Sequence, residues 1–380
     1  MGNPRVVFLC ANEPVPTITR KLDLLDNSEK FDAFLVYWHR LNSLITMPIN
    51  TDISQRKIHV VNLPEPRGNL LRQLFLYILF FLKANQTIRR LKPSVIHAND
   101  MDMLFVALLI QLTGCRCKLV LDLENTREIF IRNPFKVIFQ WAIKRTSQIF
   151  ITSPGYLDNY LKKIDPNADH KVLYVPNAPR NIDFKGFIRK KDPECLHVGY
   201  FGFLRGEETI GKLIDTAKKL NQEGLNVKII FAGVGVCKPL VTKMAQQYDF
   251  IEYKGPFNYK ENIKKLYGNV DIIFSMYYLD HNKRIHMSCR YSEAIVCNLP
   301  IIVQDGSFMA GLVRRDENGY VLKLGEWDNL YKLLKHLYFN REELERIGQN
   351  CDKIKPANLF DNYENSILSA FTSIAYGKSC

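Results

Sequence analysis

The segment His281–Val303 reads HNKRIHMSCRYSEAIVCNLPIIV, and the order of its features predicts the class of fold. A basic loop leads to Ser288, a residue type that favours the N-cap of a helix, and a helical pattern follows as far as Val296. Asn298 stands where many helices end in the left-handed conformation. Pro300 then precedes a short β-branched run that is typical of a buried strand. The segment therefore predicts a helix followed by a strand of a parallel sheet.

The same alternation of strands and helices extends outward from this segment to most of the chain. In the C-terminal half the predicted strands are His197–Tyr200, Lys228–Ala232, Ile251–Tyr253, Ile272–Ser275 and Ile301–Val303. In the N-terminal half they are Val6–Cys10, Ala33–Tyr37, Ile58–Val61, Val95–His97, Lys118–Leu121, Gln148–Ile151 and Val172–Tyr174. After Val303 the chain is predicted to be helical. Strands that are joined through helices lie parallel, so we expect two parallel sheets covered by helices on both faces.

One segment interrupts the alternation and predicts a division of the chain. Asn177–Asp192 contains Pro179, five Lys and Arg residues and no long apolar run, which indicates a linker. We therefore expect a Rossmann-like domain over residues 1–178, a linker over 179–193, a second Rossmann-like domain over 194–355 and a last helical segment over 356–380. Because ligands of open parallel sheets bind at the carboxyl ends of the strands, these two tandem domains are expected to face a central cleft.

Composition and charge exclude several classes of protein. The chain has 380 residues, of which 47% are hydrophobic and 24% charged, so it is neither disordered nor fibrous. The longest apolar run is nine residues, Leu74–Leu82, whereas a membrane span needs about 20. The N-terminus lacks a signal-peptide pattern, and the nine cysteines show no disulfide or zinc spacing. We therefore expect a cytoplasmic protein with reduced thiols.

The segment His281–Val303 also carries a candidate anion-binding site. Arg290 and Glu293 are three residues apart and so share a helix face. A helix N-terminus at Ser288, with Arg290 in the first turn and Lys283 and Arg284 in the preceding loop, could hold a diphosphate. Glu293, one turn deeper, could accept the two hydroxyls of a ribose. The alternative is a surface ion pair between Arg290 and Glu293 on an ordinary helix.

A second candidate site is the turn in Gly199–Ile214, which reads GYFGFLRGEETIGKLI. A strand leads into a turn that contains Gly202 and Gly206, and a helix follows. Glycine lets a ligand approach the backbone closely, and Arg205 would direct a cation at that ligand. The alternative is a strand-to-helix turn without a ligand.

Further motifs follow in a fixed order along the chain. They are Val95–Asp102 (VIHANDMD), Lys118–Glu124 (KLVLDLE), Val172–Asn177 (VLYVPN), Phe231–Gly235 (FAGVG), Lys254–Phe257 (KGPF), Asn269–Ser275 (NVDIIFS), Glu293–Ile302 (EAIVCNLPII) and Glu317–Leu322 (ENGYVL). Together with the glycine turn, they resemble the GT-B-fold glycosyltransferases of family 4, the glycosyl transferases group 1, and most strongly their bacterial capsule and lipopolysaccharide enzymes. The resemblance covers residues 5–376. It implies a GT-B fold in which the C-terminal helix returns to the N-terminal domain.

The sequence departs from the family pattern at several positions. The family places a glutamate eight residues before Glu293, where this chain has Ile285, and the chain instead matches the subset with a basic residue at Arg290. The histidine that follows the family's aspartate motif is replaced by Glu124. The glycine-rich loop after the first strand is absent. These changes concern the sugar-side contacts more than the nucleotide site.

The resemblance implies transfer of a sugar from a UDP- or GDP-sugar with retention of configuration and without metal or another cofactor. Arg205, Arg290 and Ser288 would stabilise the departing diphosphate, with help from Lys283 or Arg284, and Glu293 would hold the ribose. The backbone would approach the nucleotide at Gly202 and Gly233.

On the acceptor side the expected residues are His97, Asp100, Asp122 and Glu124. Asp100 and Glu124 are also candidate catalytic groups, and inversion would follow if one carboxylate acted as a general base. Asp100 and Asp102 imitate a metal-binding DxD motif, but their place before a helix favours an N-cap. His97 is either a buried strand residue or an acceptor contact.

The chain carries a net charge of +13, and part of the excess lies beside apolar residues. Leu70–Leu82 is apolar nearly all round and Phe130–Arg145 is rich in aromatic residues. The basic residues that flank or interrupt these two segments are Arg67, Arg72, Lys83, Arg89, Arg90, Arg132, Lys136, Lys144 and Arg145. This pattern predicts peripheral contact with an anionic membrane and a glycan or lipid-linked acceptor. The alternative is that the aromatic residues pack on the sheet and the cations are solvated.

Three other functions remain open from the sequence. A non-hydrolysing nucleotide-sugar epimerase would have the same fold. A catalytically inactive binding partner would be consistent with Ile285 and Glu124. A nucleic-acid-binding protein would be consistent with the net charge, although no DNA- or RNA-binding motif is present and we expect no nucleic-acid partner.

Overall fold

The computed structural model describes residues 2–41, 49, 51–66 and 69–377, so Arg67 lies outside the described residues. Contacts divide the chain into two compact units. The N-terminal unit consists of Met1–Val175 and Tyr363–Cys380, and the C-terminal unit is Pro176–Asn362. In the described parts of the chain, no helix has the length and apolarity needed to span a bilayer.

The N-terminal unit is built on a seven-stranded parallel sheet in the order β3-β2-β1-β4-β5-β6-β7. Its strands are β1 Arg5–Cys10, β2 Asp32–Leu41, β3 Ile58–Pro64, β4 Val95–Asn99, β5 Lys118–Leu123, β6 Thr146–Ile151 and β7 Val172–Tyr174. Its helices are α1 Pro16–Asn27, α2 Leu70–Leu91, α3 Asp100–Leu112, α4 Phe135–Arg145 and the short α5 Lys162–Ile164. All seven strands were predicted from their β-branched runs, because both faces of such a sheet are buried.

Helices cover both faces of this sheet. On one face α2 contacts α3 and α3 contacts α4, while α1 contacts the C-terminal helix α14, Glu364–Tyr376. Phe371 of α14 is fully buried, and its ring lies 5.7 Å from that of Phe150 in β6 and 6.3 Å from that of Phe31. The prediction that the last helix returns to the N-terminal domain is therefore confirmed.

The C-terminal unit is built on a six-stranded parallel sheet in the order β10-β9-β8-β11-β12-β13. Its strands are β8 Leu196–Phe203, β9 Val227–Val234, β10 Ile251–Tyr253, β11 Ile272–Ser275, β12 Ile301–Gln304 and β13 Gly319–Leu322. Its helices are α6 Glu207–Gln222, α7 Lys238–Gln247, α8 Tyr259–Gly268, α9 His281–Ile285, α10 Cys289–Val296, α11 Phe308–Asp316, α12 Trp327–Phe339 and α13 Arg341–Ile354. Two parallel Rossmann-like units confirm the predicted fold class.

The prediction of only helices after Val303 was wrong for β13. This edge strand has four half-buried residues and lacks the buried run that marks a central strand. It pairs with β12, and a Cβ at Gly319 would lie 2.1 Å from the carbonyl oxygen of Ile301. The strand therefore depends on a close backbone approach that only glycine allows.

The segment predicted as a linker packs against the C-terminal unit. It contains a short 3₁₀ helix, Asn181–Phe184, and otherwise lacks regular structure as far as β8. The backbone amide of Asn181 donates to Asp361, and Arg189 forms ion pairs with Asp271 and Glu345. Contacts therefore assign this segment to the unit formed by residues 176–362.

Candidate functional site

Glycines shape the carboxyl ends of β8 and β9 in the C-terminal unit. Gly202 and Gly206 adopt φ angles of 102° and 83° in the predicted turn, and Gly206 is the N-cap of α6. Gly233 has a φ of 133°, and a Cβ there would lie 1.7 Å from the carbonyl oxygen of Gly202. The amide of Gly233 already donates to Gly255 at 2.8 Å, and its carbonyl accepts from the Tyr253 hydroxyl at 2.8 Å. Gly233 therefore brings two strand ends together, and its contact with a nucleotide stays a prediction.

Helix α10 begins as the sequence predicts. The Ser288 hydroxyl caps the helix by accepting from the Arg290 amide at 3.2 Å, and Asn298 has a φ of 53° just after its end. Ser288 is buried, and its own amide donates to the Met309 sulfur at 3.5 Å. The helix N-terminus is thus fixed next to the ends of β8 and β11.

Arg290 is 4% exposed and lies at the end of β8. Its guanidinium donates to the Phe201 carbonyl and to the Tyr277 hydroxyl, and it lies over the rings of Tyr200 and Tyr277 at 4.6 and 5.2 Å. A Cβ at Gly202 would be 3.5 Å from this guanidinium, so glycine there leaves room beside the cation. Because the backbone and two aromatic residues hold the guanidinium, its orientation is fixed before any ligand binds.

Glu293 points away from Arg290 and is 3% exposed. Its two carboxylate oxygens accept from the hydroxyls of Tyr259, at 2.7 Å, and Tyr267, at 2.5 Å. The alternative of a surface ion pair between Arg290 and Glu293 is therefore wrong. The ribose contact assigned to Glu293 stays a prediction, and it requires the sugar hydroxyls to replace or join the two tyrosines.

Arg205 supplies a second cation beside Arg290. Its guanidinium lies over the rings of Phe203 and Tyr277 at 5.5 and 5.3 Å, so Tyr277 contacts both arginines. Burial, followed by the charges of Arg205 and Arg290, lowers the pKa of His286 to about 4. These two arginines therefore create a positive potential that an anionic ligand would relieve.

The two basic residues of α9 have different surroundings. Lys283 is half-buried and pairs with Asp280 at 2.7 Å, whereas Arg284 is exposed. Asp280 also caps α9 by accepting from the Lys283 amide. A role for Lys283 in holding the diphosphate therefore competes with an existing ion pair, and the role assigned to Arg284 stays a prediction.

In the N-terminal unit, a buried ion pair lies below the carboxyl edge of the sheet. Lys21 of α1 and Asp122 of β5 are both fully buried, with Nζ 2.5 Å from Oδ2. Burial opposes the charge of Asp122, but Lys21 and His97 hold the pKa of its carboxyl below the usual value. Lys21 was not predicted, since no sequence pattern marks a lysine whose side chain is buried in a core.

His97 has the first of its two predicted roles. It is fully buried, its Nε2 lies 3.2 Å from Asp122, and its ring packs 4.3 Å from Phe8 and 5.9 Å from Phe371. Burial lowers the pKa of His97, which keeps the ring neutral. His97 and Asp122 therefore belong to the core below the site, and the structure does not bring them to a surface that an acceptor could reach.

Asp100 does not cap its helix, and this prediction was wrong. Asp100 is itself the first residue of α3 and has a φ of 65°. Its carboxylate instead accepts from the amides of Glu124 and Asn125, both at 2.8 Å, and so fastens the end of β5 to that of β4. Asp102 accepts from the Tyr77 hydroxyl at 3.0 Å.

Asp100 and Asp102 line a cavity of about 190 Å³ with Arg40, Asn125 and Arg127. Burial and then the charge of Asp102 raise the pKa of Asp100 to about 7. The arginines and Asn125 were not predicted, although Asn125 and Arg127 directly follow the motif that ends at Glu124. The lining of this cavity therefore offers both hydrogen-bond donors and hydrogen-bond acceptors to the hydroxyls of a ligand.

Glu124 lies beside this cavity and is nearly buried. Burial and then the charge of Asp122 raise the pKa of its carboxyl to about 8, so it is protonated near neutral pH. A carboxyl in this state donates a hydrogen bond and becomes a base only after losing its proton. The raised pKa of Glu124 therefore argues against its assignment as the ionised base of an inverting reaction.

Helix α2 has two apolar faces, and only one of them is buried. Leu76, Phe80, Ala84 and Ile88 pack inward. The opposite stripe includes Leu71, Leu74, Phe75, Ile78 and Leu82, all between 51 and 77% exposed. Neighbouring α4 exposes Val137 at 63% and Trp141 at 43%, and the Arg145 guanidinium lies over that tryptophan ring. Phe139 is buried, whereas Phe135 is 39% exposed, so the alternative that the aromatic residues pack on the sheet holds only in part, and the membrane contact stays a prediction.

Part of the chain is similar to a known protein family. The family "Glycosyl transferases group 1" matches residues 180–353, just under half of the chain. No curated protein matches the chain. The family match confirms the predicted resemblance for this segment.

Solved structures that resemble the chain share its fold at low sequence identity. Anabaena HepE in complex with UDP-glucose is 16% identical, with a TM-score of 0.70 over 98% of this chain and all of that one. The lipopolysaccharide outer core galactosyltransferase WaaB is 14% identical, with a TM-score of 0.61 over 96% and 99%. A Listeria monocytogenes protein proposed to be a UDP-N-acetylglucosamine 2-epimerase is 14% identical, with a TM-score of 0.63 over 99% and 98%. These matches confirm the GT-B fold.

Proposed function

We propose that this chain transfers a sugar from a nucleotide-diphosphate donor, most simply a UDP-sugar, to a glycan or lipid-linked glycan acceptor. The observation that carries the proposal is the pair of arginines, Arg205 and Arg290, beside the N-terminus of α10 in the segment that matches the family. Complexes of HepE with UDP and UDP-glucose support uridine as the base, and WaaB supports a role in surface polysaccharide synthesis.

Departure of the diphosphate is the step that these residues would assist. The bond between the anomeric carbon and the phosphate oxygen breaks, and the acceptor oxygen forms a bond to the same carbon. Negative charge then develops on the diphosphate, where Arg205, Arg290 and the positive N-terminal end of α10 would stabilise it. The proton of the acceptor hydroxyl passes to the departing phosphate oxygen on the same face of the sugar, and configuration is retained.

The reaction is proposed to need no metal ion. Two fixed guanidinium groups supply the positive charge that Mg²⁺ provides in other sites. The residues that imitate a metal motif support this proposal, since Asp100 holds the amides of Glu124 and Asn125 while Asp102 holds Tyr77. The cavity beside Asp100 is proposed to receive the acceptor, with Arg40 and Arg127 as further contacts.

Thermal stability in the presence of nucleotides tests the donor site. We expect UDP to stabilise the chain more than GDP, ADP, CMP or TDP, and equally with and without Mg²⁺, because ligand binding to the native state alone raises the melting temperature. Arg205→Ala should remove this shift, and Arg346→Ala should keep it because Arg346 is an exposed cation of α13 with no assigned role at the site.

Absence of a shift with every nucleotide would contradict the donor site and favour the inactive binding partner. A metal-dependent shift would contradict metal independence alone. An epimerase would give the same shift, because the Listeria protein shares the fold. Product analysis separates the two, since an epimerase returns a nucleotide-sugar and a transferase releases the nucleoside diphosphate.

The exposed stripe of α2 and the apolar residues of α4 are proposed to dock on an anionic phospholipid membrane. Basic residues beside this surface supply charge complementarity; they are Arg72, Lys83, Arg89, Arg90, Lys136, Lys144 and Arg145. Contacts of α3 with both helices place them in one layer of the N-terminal unit. Apolar side chains flanked by cations bind best where acyl chains meet anionic headgroups.

Vesicle cosedimentation tests this surface. The chain should bind vesicles that contain phosphatidylglycerol and should not bind pure phosphatidylcholine vesicles. Leu74→Gln with Ile78→Gln should weaken binding about tenfold or more, because two apolar side chains no longer leave water. Ile188→Gln, at a position 79% exposed in the other unit, should have no effect. Equal binding to both kinds of vesicle, or equal loss in the control, would contradict the assignment.

A further inference from the structure

Three potential metal ligands lie together at the amino edge of the sheet in the C-terminal unit. A carboxylate oxygen of Asp192, the sulfur of Cys195 and a ring nitrogen of His197 are all within 4.8 Å of one another. Cys195 immediately precedes β8 and His197 is the second residue of that strand. Within the described parts of the chain, this is the only group of three such side chains at metal-binding spacing.

We propose that Asp192, Cys195 and His197 bind a Zn²⁺ ion. A thiolate, an imidazole and a carboxylate form a mixed ligand set that suits zinc and is unlike the oxygen ligands of Mg²⁺ or Ca²⁺. The Asp192 carboxylate and the Cys195 thiolate together balance the charge of the ion. On binding, the thiol of Cys195 loses its proton to solvent and its sulfur forms the bond to zinc.

Surrounding contacts hold one of these ligands, His197, as an outer shell would. Asp271 accepts from the His197 amide at 2.8 Å, and its carboxylate lies 3.7 Å from Nδ1 of that histidine. Arg189 and Arg341 hold the same carboxylate at 2.9 and 3.3 Å. A carboxylate that orients a histidine ring is the usual partner of a zinc-binding histidine. Cys195 is 1% exposed, so its sulfur faces a shielded site.

The three ligand atoms, which lie within 4.8 Å of one another, would have to move closer together to bind zinc. Tetrahedral zinc with ordinary bond lengths holds its ligand atoms about 3.3–3.6 Å apart. Asp192 is exposed, and its Oδ1 accepts from the Glu194 amide at 3.0 Å, which leaves the second oxygen to turn toward the ion.

A fourth coordination position would face a cavity. Asp192 and His197 line a space of about 350 Å³ together with Lys190 and Lys228. Three protein ligands with one open position are the arrangement found where zinc carries an exchangeable water or anion. This site lies at the edge of the sheet opposite the donor site, so the proposal is independent of the proposed transfer reaction.

Cobalt spectroscopy of the full chain tests the site, because Co²⁺ replaces zinc and reports its ligands. After reduction and removal of metal by a chelator, one equivalent of Co²⁺ should give the visible bands of tetrahedral cobalt and a thiolate-to-cobalt charge-transfer band. Zn²⁺ should displace both. Cys195→Ser should abolish the charge-transfer band, and Asp192→Asn and His197→Gln should each weaken Co²⁺ binding at least tenfold.

A matched control separates this site from other thiols. Cys115 and Cys117 lie close enough for their side chains to hydrogen-bond, so they form the competing pair of sulfur ligands. The double variant Cys115→Ser with Cys117→Ser should keep the bands. The proposal is overturned if no charge-transfer band forms, if the band persists in Cys195→Ser, or if it disappears in the double variant. Since Asp192 is exposed, unchanged binding by Asp192→Asn in a folded chain also overturns the three-ligand site.

Discussion

Arg290→Ala should lower kcat about 10²–10³-fold, the loss seen when one preorganised donor to a developing negative charge is removed. Arg290 is 4% exposed, and its guanidinium is fixed by the Phe201 carbonyl and the Tyr277 hydroxyl. Charge that develops on a departing diphosphate would therefore meet a cation that needs no reorganisation. The measurement is release of nucleoside diphosphate from the nucleotide-sugar that stabilises the chain most.

Two variants separate catalysis from stability in this experiment. Arg290→Lys keeps the charge but loses the planar fork, so its activity should fall between those of the wild type and Arg290→Ala. Arg346→Ala removes an exposed cation from α13, which has no assigned role at the site, and should retain wild-type kcat. Circular dichroism and melting temperature show whether each variant is folded. A folded Arg290→Ala variant with kcat within tenfold of the wild type would exclude Arg290 from the reaction.

The architecture was accessible from the sequence because its signals are local. Parallel strands buried on both faces appear as short β-branched runs, and all twelve predicted strands are present. The end of α10 just before Asn298 follows from one residue that tolerates the left-handed region. The edge strand β13 escaped prediction, since its four residues are half-buried and pair with one neighbour only.

The site was only partly accessible, because its contacts come from distant parts of the chain. The spacing of Arg290 and Glu293 predicted that they share a helix, but the orientation of each side chain depends on its hydrogen-bond partners. Tyr277 holds Arg290, whereas Tyr259 and Tyr267 hold Glu293. No sequence pattern links these tyrosines to the helix.

Backbone conformation explains another error. A residue before a helix commonly caps it, yet Asp100 enters α3 in the left-handed region. The change of φ turns its carboxylate toward the next strand, where it accepts from Glu124 and Asn125. The residue type predicted that the Asp100 side chain would accept hydrogen bonds from backbone amides. The fold determined that these amides belong to the end of β5 and not to the start of α3.

Lys21→Met should cost about 3–5 kcal/mol of the free energy of unfolding, because it leaves the Asp122 carboxylate buried without its cation. Both side chains are fully buried, and Nζ lies 2.5 Å from Oδ2. The measurement is urea unfolding followed by a signal from the N-terminal unit. Lys162→Met removes an exposed ion pair with Asp158 and should leave the free energy of unfolding nearly unchanged, because solvent screens such a pair.

A second change in the same pair shows where the cost arises. In Lys21→Met with Asp122→Leu, the unpaired charge is gone and apolar side chains fill similar space, so much of the lost stability should return. The wild-type pair also has a pH dependence of known sign. Because Lys21 holds the pKa of Asp122 below its usual value, its contribution is present above the ordinary aspartate pKa and is lost as the pH falls through the lowered value. If the double variant loses as much free energy of unfolding as the two single variants together, Lys21 stabilises the N-terminal unit by packing and not by its charge.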